Sequence, residues 1–152
     1  FFFFFVAIGA MLGGASEEDC RKLRRFAVEL GLAFQLQDDL LDSYGGEELG
    51  KTIGGDILEG KKSYLMVTAM SRADEEQREV LRHTYKDAAL APAEKIARVR
   101  AVFDALDVPR LTEQQISLRF DRALATLDGL NVPDARKEPL REYARSLMGR
   151  RK

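Results

Sequence analysis

Three aspartates lie close together within an apolar stretch of the chain, in the nonapeptide FQLQDDLLD at residues 34–42. They are Asp38, Asp39 and Asp42. A carboxylate beside core-forming leucines lowers stability unless something pairs with it, and clustered carboxylates also repel one another. A divalent cation relieves both effects, and Mg²⁺ usually takes one or two protein carboxylates together with water and phosphate oxygens. The spacing therefore predicts a magnesium site.

Two other interpretations of the aspartates remain open. A solvated helix face is the commoner explanation of an isolated DDxxD pattern, because aspartates are mostly exposed. A calcium loop fits less well, since its carboxylates are spread along irregular backbone around a central glycine. One face of the predicted helix carries, in order, Ala27, Gly31, Gln35, Asp38 and Asp42, with Asp39 beside them. Small residues in place of Lys or Glu favour the wall of a pocket over a solvated face.

A segment rich in glycine and lysine follows the aspartates. Residues 44–60 contain half of the 12 glycines in the chain, which predicts a flexible loop whose backbone can approach a ligand closely. Lys51, Lys61 and Lys62 supply cations, and Asp56 is a further candidate metal ligand. Lysines and a carboxylate-bound metal ion together would bind a diphosphate.

Helical signals dominate the rest of the sequence, and no segment alternates with period two for long enough to predict a strand. The fold is therefore predicted to be all-α. The first two predicted helices span about 17–43, after a Ser16 cap, and 61–70; Ser71 and Asp74 are predicted to cap a third, which ends near residue 86. Pro92 begins a helix predicted over 92–106, Thr112 with Gln115 caps one that ends near residue 129, and the last spans 134–148. Spacings such as Val99, Phe103 and Leu106 indicate core positions.

Composition excludes several classes of function. The chain has 152 residues, enough for one domain, and its 24 Lys and Arg balance 25 Asp and Glu, so we expect no nucleic-acid partner. Cys20 is the sole cysteine, which predicts a reducing, cytoplasmic environment without disulfides. His83 is the sole histidine, which argues against a zinc site or a histidine-based catalytic centre and predicts a surface position.

Both ends of the chain have unusual composition. The opening FFFFFVAIGAMLGG is shorter than the roughly 20 residues of a membrane span, so no stable membrane anchor is expected. It lacks a helix cap, as if the chain began within a helix. The closing GRRK either stabilises the end of the last helix through its dipole or folds over a binding cavity.

The combination of FQLQDDLLD with GKTIGGDILEGKKS resembles the second aspartate-rich region of the trans-type prenyl diphosphate synthases, which include the farnesyl, geranylgeranyl and polyprenyl diphosphate synthases. The combined pattern is far more specific than DDxxD alone. The resemblance runs from about Ile8 to the C-terminus and includes VFDAL and ALATLDGLNVP. It implies an isoprenoid-synthase-type bundle of α-helices around a central cavity, usually in a homodimer.

The resemblance also implies a reaction and assigns residues to it. Isopentenyl diphosphate would be condensed with an allylic diphosphate to give a longer prenyl diphosphate, with Mg²⁺ as cofactor. Asp38 would be the most direct metal ligand. The implied metal ligands are Asp38, Asp39, Asp42 and Asp56; the catalytic residues are Asp38, Asp39 and Lys51; the substrate-binding residues are Phe34, Gln35, Lys51 and Lys61. Lys51 and Lys61 would contact the allylic diphosphate, whereas Phe34 and Gln35 would face isopentenyl diphosphate.

The chain departs from the family in length. Family members are about twice as long, and their first aspartate-rich motif precedes the matched part. We therefore expect residues 1–152 to be the C-terminal half of a single synthase domain, inactive without the N-terminal half. A non-catalytic partner subunit of a synthase, a class I terpene cyclase and a general helical interaction module are the alternatives. Product length is not predicted, because the cavity floor lies near the first motif.

Overall fold

A computed structural model describes residues 2–45, 53–87 and 89–149. These ranges form α-helices and contain no β-strand, which confirms the predicted all-α class. The helices are α1 Phe2–Leu12, α2 Glu17–Tyr44, α3 Gly55–Leu58, α4 Tyr64–Arg72, α5 Glu75–Lys86, α6 Pro92–Ala105, α7 Val108–Asp128 and α8 Asp134–Met148. Two sets of sequence predictions lie outside the described residues: the substrate-binding role of Lys51 and the role of the basic end, Arg150–Lys152.

Several helix boundaries follow from local signals, as predicted. Ser16 precedes α2, and its Oγ accepts a hydrogen bond from the Asp19 N–H at 3.1 Å. Asp74 and Gln77 form a reciprocal capping box at the start of α5. Pro92 opens α6, where its missing N–H costs no intrahelical hydrogen bond. His83 is exposed on α5, as predicted.

Four local predictions were wrong. α4 begins at Tyr64 rather than at residue 61, because Ser63 caps it by accepting from the Met66 N–H. Thr112 caps no helix: it is buried inside α7, and its hydroxyl donates to the Val108 carbonyl at 2.8 Å. The glycine-rich segment predicted as a loop contains the short helix α3. Ser71, a candidate cap for α5, lies inside α4 instead.

Residues 36–114 form one compact unit, made of α3–α6 with the end of α2 and the start of α7. Its buried core includes Ile57 of α3, Leu65 of α4, Leu81 of α5 and Val99 and Phe103 of α6. Each such side chain contributes about 1.5–3 kcal/mol on burial. This core holds α3 and α4 in place, and the end of α2 that carries the aspartates belongs to the same unit.

Residues 1–35 and 115–152 form the second compact unit. Phe26 and Leu30 of α2 pack with Ala123 and Leu127 of α7 and Ala144 of α8. Glu29 and Arg119 form an ion pair at 3.0 Å. None of the helices in the described part of the chain combines the length and apolarity needed to cross a bilayer.

Candidate functional site

The three aspartates of α2 occupy different environments within the unit 36–114. Asp39 is buried, with 6% of its surface exposed, whereas Asp42 is half-buried and Asp38 is exposed. Among the residues that the structure describes, Asp38 has no hydrogen-bond or ion-pair partner. Because a side chain without partners contributes little to the fold, the carboxylate of Asp38 is available to a ligand.

Asp42 joins the end of α2 to α3. Its Oδ2 accepts a hydrogen bond from the Asp56 N–H at 2.9 Å, and its backbone carbonyl accepts from the Gly54 N–H at 2.6 Å. Gly54 has φ 81°, and a Cβ at this position would lie 2.7 Å from the Ile96 side chain. Glycine is therefore required for this close junction.

The electrostatic environment of Asp42 favours a nearby cation. Burial raises the pKa of this carboxyl, and the negative charges of Asp56 and Asp39 raise it further, while the Asp56 N–H and Lys61 act in the opposite direction. The Oδ1 atom of Asp42 has no hydrogen-bond partner among the described residues. An added cation would therefore stabilise the ionised form of Asp42.

Asp39 holds the start of α4. Its Oδ2 accepts a hydrogen bond from the Tyr64 N–H at 3.1 Å, which satisfies one of the backbone donors that a helix leaves unpaired at its first turn. Its Oδ1 lies 3.6 Å from Lys61 Nζ. Asp39 therefore holds in place both the start of α4 and Lys61, which precedes that helix.

Lys61 links the aspartates of α2 to α3. Its Nζ donates to Asp56 Oδ2 at 2.8 Å and lies near Asp39. The hydrogen bond to Asp56 raises the pKa of Lys61, so its ammonium group stays charged at neutral pH. The side chain keeps 46% of its surface exposed. An ammonium group has three donors, so at least one remains for another acceptor.

The structure thus brings together four of the predicted site residues, Asp39, Asp42, Asp56 and Lys61, with Asp38 on the same helix. Phe34 is half-buried and Gln35 exposed, about one turn before Asp38 on α2. Lys51, the remaining predicted site residue, lies outside the described residues.

The sequence prediction missed Lys95 of α6, which supports the site. Lys95 is buried, and its Nζ donates to the Tyr85 carbonyl at 3.0 Å and the Leu58 carbonyl at 3.4 Å. It therefore holds the end of α3 against the end of α5, where a cation is favoured by the helix dipole. The sequence did carry a signal for a buried lysine, because Lys95 lies four residues before Val99 on the apolar side of a predicted helix.

The donor atoms fit Mg²⁺ bound together with a phosphate-containing ligand. Within the described ranges, no three His, Cys, Asp or Glu side chains are grouped so that they could hold a metal ion by themselves. Mg²⁺ does not need such a group, because it takes one or two carboxylates and fills its octahedron with water and phosphate oxygens. Asp38 and the Oδ1 atom of Asp42 supply carboxylate oxygens of this kind.

Comparison with known proteins identifies the family. Residues 1–105 match the family described as Polyprenyl synthetase, a span that includes the aspartates, α3 and Lys61. The chain belongs to the polyprenyl synthetase family. The resemblance inferred from the sequence motifs is therefore confirmed.

Individual members of the polyprenyl synthetase family match this chain over only part of their own length. Human farnesyl pyrophosphate synthase is 32% identical over 136 residues, which are 88% of this chain and 32% of that protein. A short chain isoprenyl diphosphate synthase of Methanocaldococcus jannaschii is 42% identical over 77 residues, 50% of this chain and 24% of that protein. The chain spans about a third or less of the length of these two curated relatives.

Solved structures of the polyprenyl synthetase family confirm the isoprenoid-synthase-type fold. A geranylgeranyl pyrophosphate synthase matches with a TM-score of 0.83 and 29% identity, over 96% of this chain and 46% of its own. The geranylgeranyl pyrophosphate synthase of Corynebacterium glutamicum, solved in complex with isoprenyl diphosphate and magnesium, matches with a TM-score of 0.81 and 33% identity. That match covers 94% of this chain and 41% of the other.

Proposed function

We propose that this chain is the C-terminal half of a prenyl diphosphate synthase domain that condenses isopentenyl diphosphate with an allylic diphosphate, using Mg²⁺. The observation that carries the proposal is the joined cluster of Asp39, Asp42, Asp56 and Lys61 beside the exposed Asp38. This cluster lies within the part of the chain that matches the family.

The chain's own residues would bind and orient the allylic diphosphate. Of the four predicted metal ligands, Asp38 and Asp42 are the best supported, because each offers an oxygen without a partner among the described residues. When bound, Mg²⁺ neutralises the charge of a diphosphate leaving group. Asp39 and Asp56 would act mainly through Lys61 and through the placement of α3 and α4.

Lys61 would stabilise the negative charge that develops as the allylic carbon–oxygen bond breaks. Its remaining N–H donor can meet a phosphate oxygen while Asp56 keeps the ammonium group in place. Opposite unit charges 4 Å apart attract by about 4 kcal/mol at an effective dielectric constant of 20. One preorganised lysine therefore lowers the activation barrier measurably.

The remaining parts of the proposed reaction depend on the resemblance. Lys51 would contact the same diphosphate, while Phe34 and Gln35 would face isopentenyl diphosphate. The second carboxylate wall would come from the N-terminal half of the domain. We further propose a homodimer, which the resemblance implies, and a cytoplasmic location, in line with the solitary Cys20.

Product analysis of the complete protein tests the proposed function. With Mg²⁺, isopentenyl diphosphate and radiolabelled dimethylallyl diphosphate, we expect a longer labelled prenyl diphosphate and one pyrophosphate released for each isopentenyl unit incorporated. The release of pyrophosphate with a hydrocarbon product and no isopentenyl incorporation would indicate a terpene cyclase. If the protein shows no turnover by itself but changes the rate of a co-purified synthase, it would be a partner subunit. Either result would contradict the proposal.

A further inference from the structure

A pocket opens between α4 and α5, with a volume of about 430 Å³. This is within the usual range for sites that bind small molecules. Its lining includes Met66, Met70 and Leu81 as an apolar floor, with Lys62, Arg82 and Lys86 as basic residues. All of these residues belong to the unit 36–114. The aspartates of the candidate functional site are not among the lining residues.

The floor of the pocket suits a flexible hydrocarbon chain. Leu81 is fully buried and Met66 nearly so, so the floor is part of the core of this unit. Methionine side chains are unbranched and adapt to irregular apolar shapes. Val67, which also lines the pocket, has 56% of its surface exposed. The pocket therefore presents apolar surface that an apolar ligand could cover.

The basic residues give the pocket a net positive charge. Lys62 and Lys86 are exposed, and neither has a hydrogen-bond or ion-pair partner elsewhere in the described part of the chain. Arg82, in contrast, pairs with Glu79 at 2.9 Å and Glu75 at 3.5 Å. Two lysines without counter-ions therefore remain beside the apolar floor, where they complement an anionic group.

We propose that this pocket binds a prenyl phosphate, an amphiphile with a single apolar chain and a phosphate head, without the help of a metal ion. The chain would cover the methionine floor while the head meets Lys62 and Lys86. The volume of about 430 Å³ is large enough for one such molecule. The pocket is separate from the proposed catalytic site. Lys61 pairs with an aspartate of that site, whereas the neighbouring Lys62 lines the pocket.

Calorimetric titration with farnesyl phosphate, below its critical micelle concentration and in EDTA, tests the proposed pocket. We expect saturable binding to the complete protein, with farnesol and inorganic pyrophosphate each binding at least about tenfold more weakly, since each lacks one half of the recognised chemistry. Equal affinity for farnesol would overturn the role of the lysines. The absence of farnesyl phosphate binding in EDTA would overturn the proposal as a whole.

Two matched pairs of variants locate the binding. Val67→Trp fills the pocket and should abolish binding, whereas Leu118→Trp, at an exposed position on α7, should not. Lys86→Glu should weaken binding about threefold to tenfold, whereas Arg136→Glu, at an exposed position on α8, should not. Circular dichroism melts confirm that all four variants fold. Unchanged affinity in folded Val67→Trp would place the ligand elsewhere and contradict the proposal.

The same titration separates this proposal from the proposed catalytic function. Asp38→Ala removes a predicted metal ligand that does not line the pocket, so it should leave farnesyl phosphate binding in EDTA unchanged. A loss of binding in Asp38→Ala would mean that the titration reports the aspartate site, and it would overturn the proposal that the pocket between α4 and α5 binds the ligand.

Discussion

Replacing Asp38 with alanine in the complete protein is expected to lower prenyl transfer by at least about a hundredfold, as the loss of a group that stabilises transition-state charge typically does. The thermal midpoint should stay the same, because Asp38 is exposed and has no partner among the described residues. Product formation from isopentenyl and allylic diphosphates measures the first effect. A circular dichroism melt measures the second.

Asp121→Ala is the matched control for this substitution. Asp121 is also an exposed helical aspartate, on α7, without a hydrogen-bond or ion-pair partner in the described ranges. Its replacement should change neither turnover nor thermal stability. Near-normal turnover of Asp38→Ala would contradict the assigned role, and an equal loss in Asp121→Ala would show that the effect is not specific.

Replacing the neighbouring Asp39 with alanine is expected to lower the free energy of unfolding by about 0.5–2 kcal/mol, the usual cost of losing a side-chain acceptor at the first turn of a helix, because the hydrogen bond to the Tyr64 N–H is partly buried. The substitution removes the acceptor of the Tyr64 N–H and one of the two carboxylates near Lys61. Prenyl transfer should fall as well, because α4 and Lys61 are no longer held in place. Urea denaturation of wild type and variant measures the change in stability.

Asp39→Asn separates the hydrogen bond from the charge. The amide oxygen can still accept from the Tyr64 N–H, so most of the stability should return. The lost charge weakens the contact with Lys61, so prenyl transfer should stay reduced. If Asp39→Ala unfolds at the same urea concentration as Asp38→Ala, the distinction drawn between a structural and a ligand-binding aspartate is wrong.

Helices with strong local signals could be predicted from the sequence. The polar face of α2, the Asp74 cap and the proline at the start of α6 each depend on residues within one or two turns of each other. Thr112 shows the limit of such signals. A threonine hydroxyl can cap a helix or bond to the carbonyl four residues earlier, and the choice depends on the turn at Asp107, which has φ 58°.

The composition of the candidate site could also be predicted, but the separate roles of its residues could not. Asp38 and Asp39 are neighbours of identical chemistry, but Asp39 is buried and accepts a hydrogen bond from the start of α4, whereas Asp38 is exposed. The contacts of Lys95 join carbonyls that lie 10 and 37 residues away in the chain. Contacts of this kind arise from tertiary packing and leave little trace in a local pattern.

The most direct test of the central claim, that α2 and Lys61 form a magnesium-dependent diphosphate site, is a calorimetric titration of the complete protein with inorganic pyrophosphate. We expect binding in the presence of Mg²⁺, no binding in EDTA, at least about tenfold weaker binding for Asp38→Ala and Lys61→Met, and unchanged binding for Asp121→Ala. Pyrophosphate binding that is equally tight in EDTA, or unaffected by Asp38→Ala and Lys61→Met, would contradict the claim.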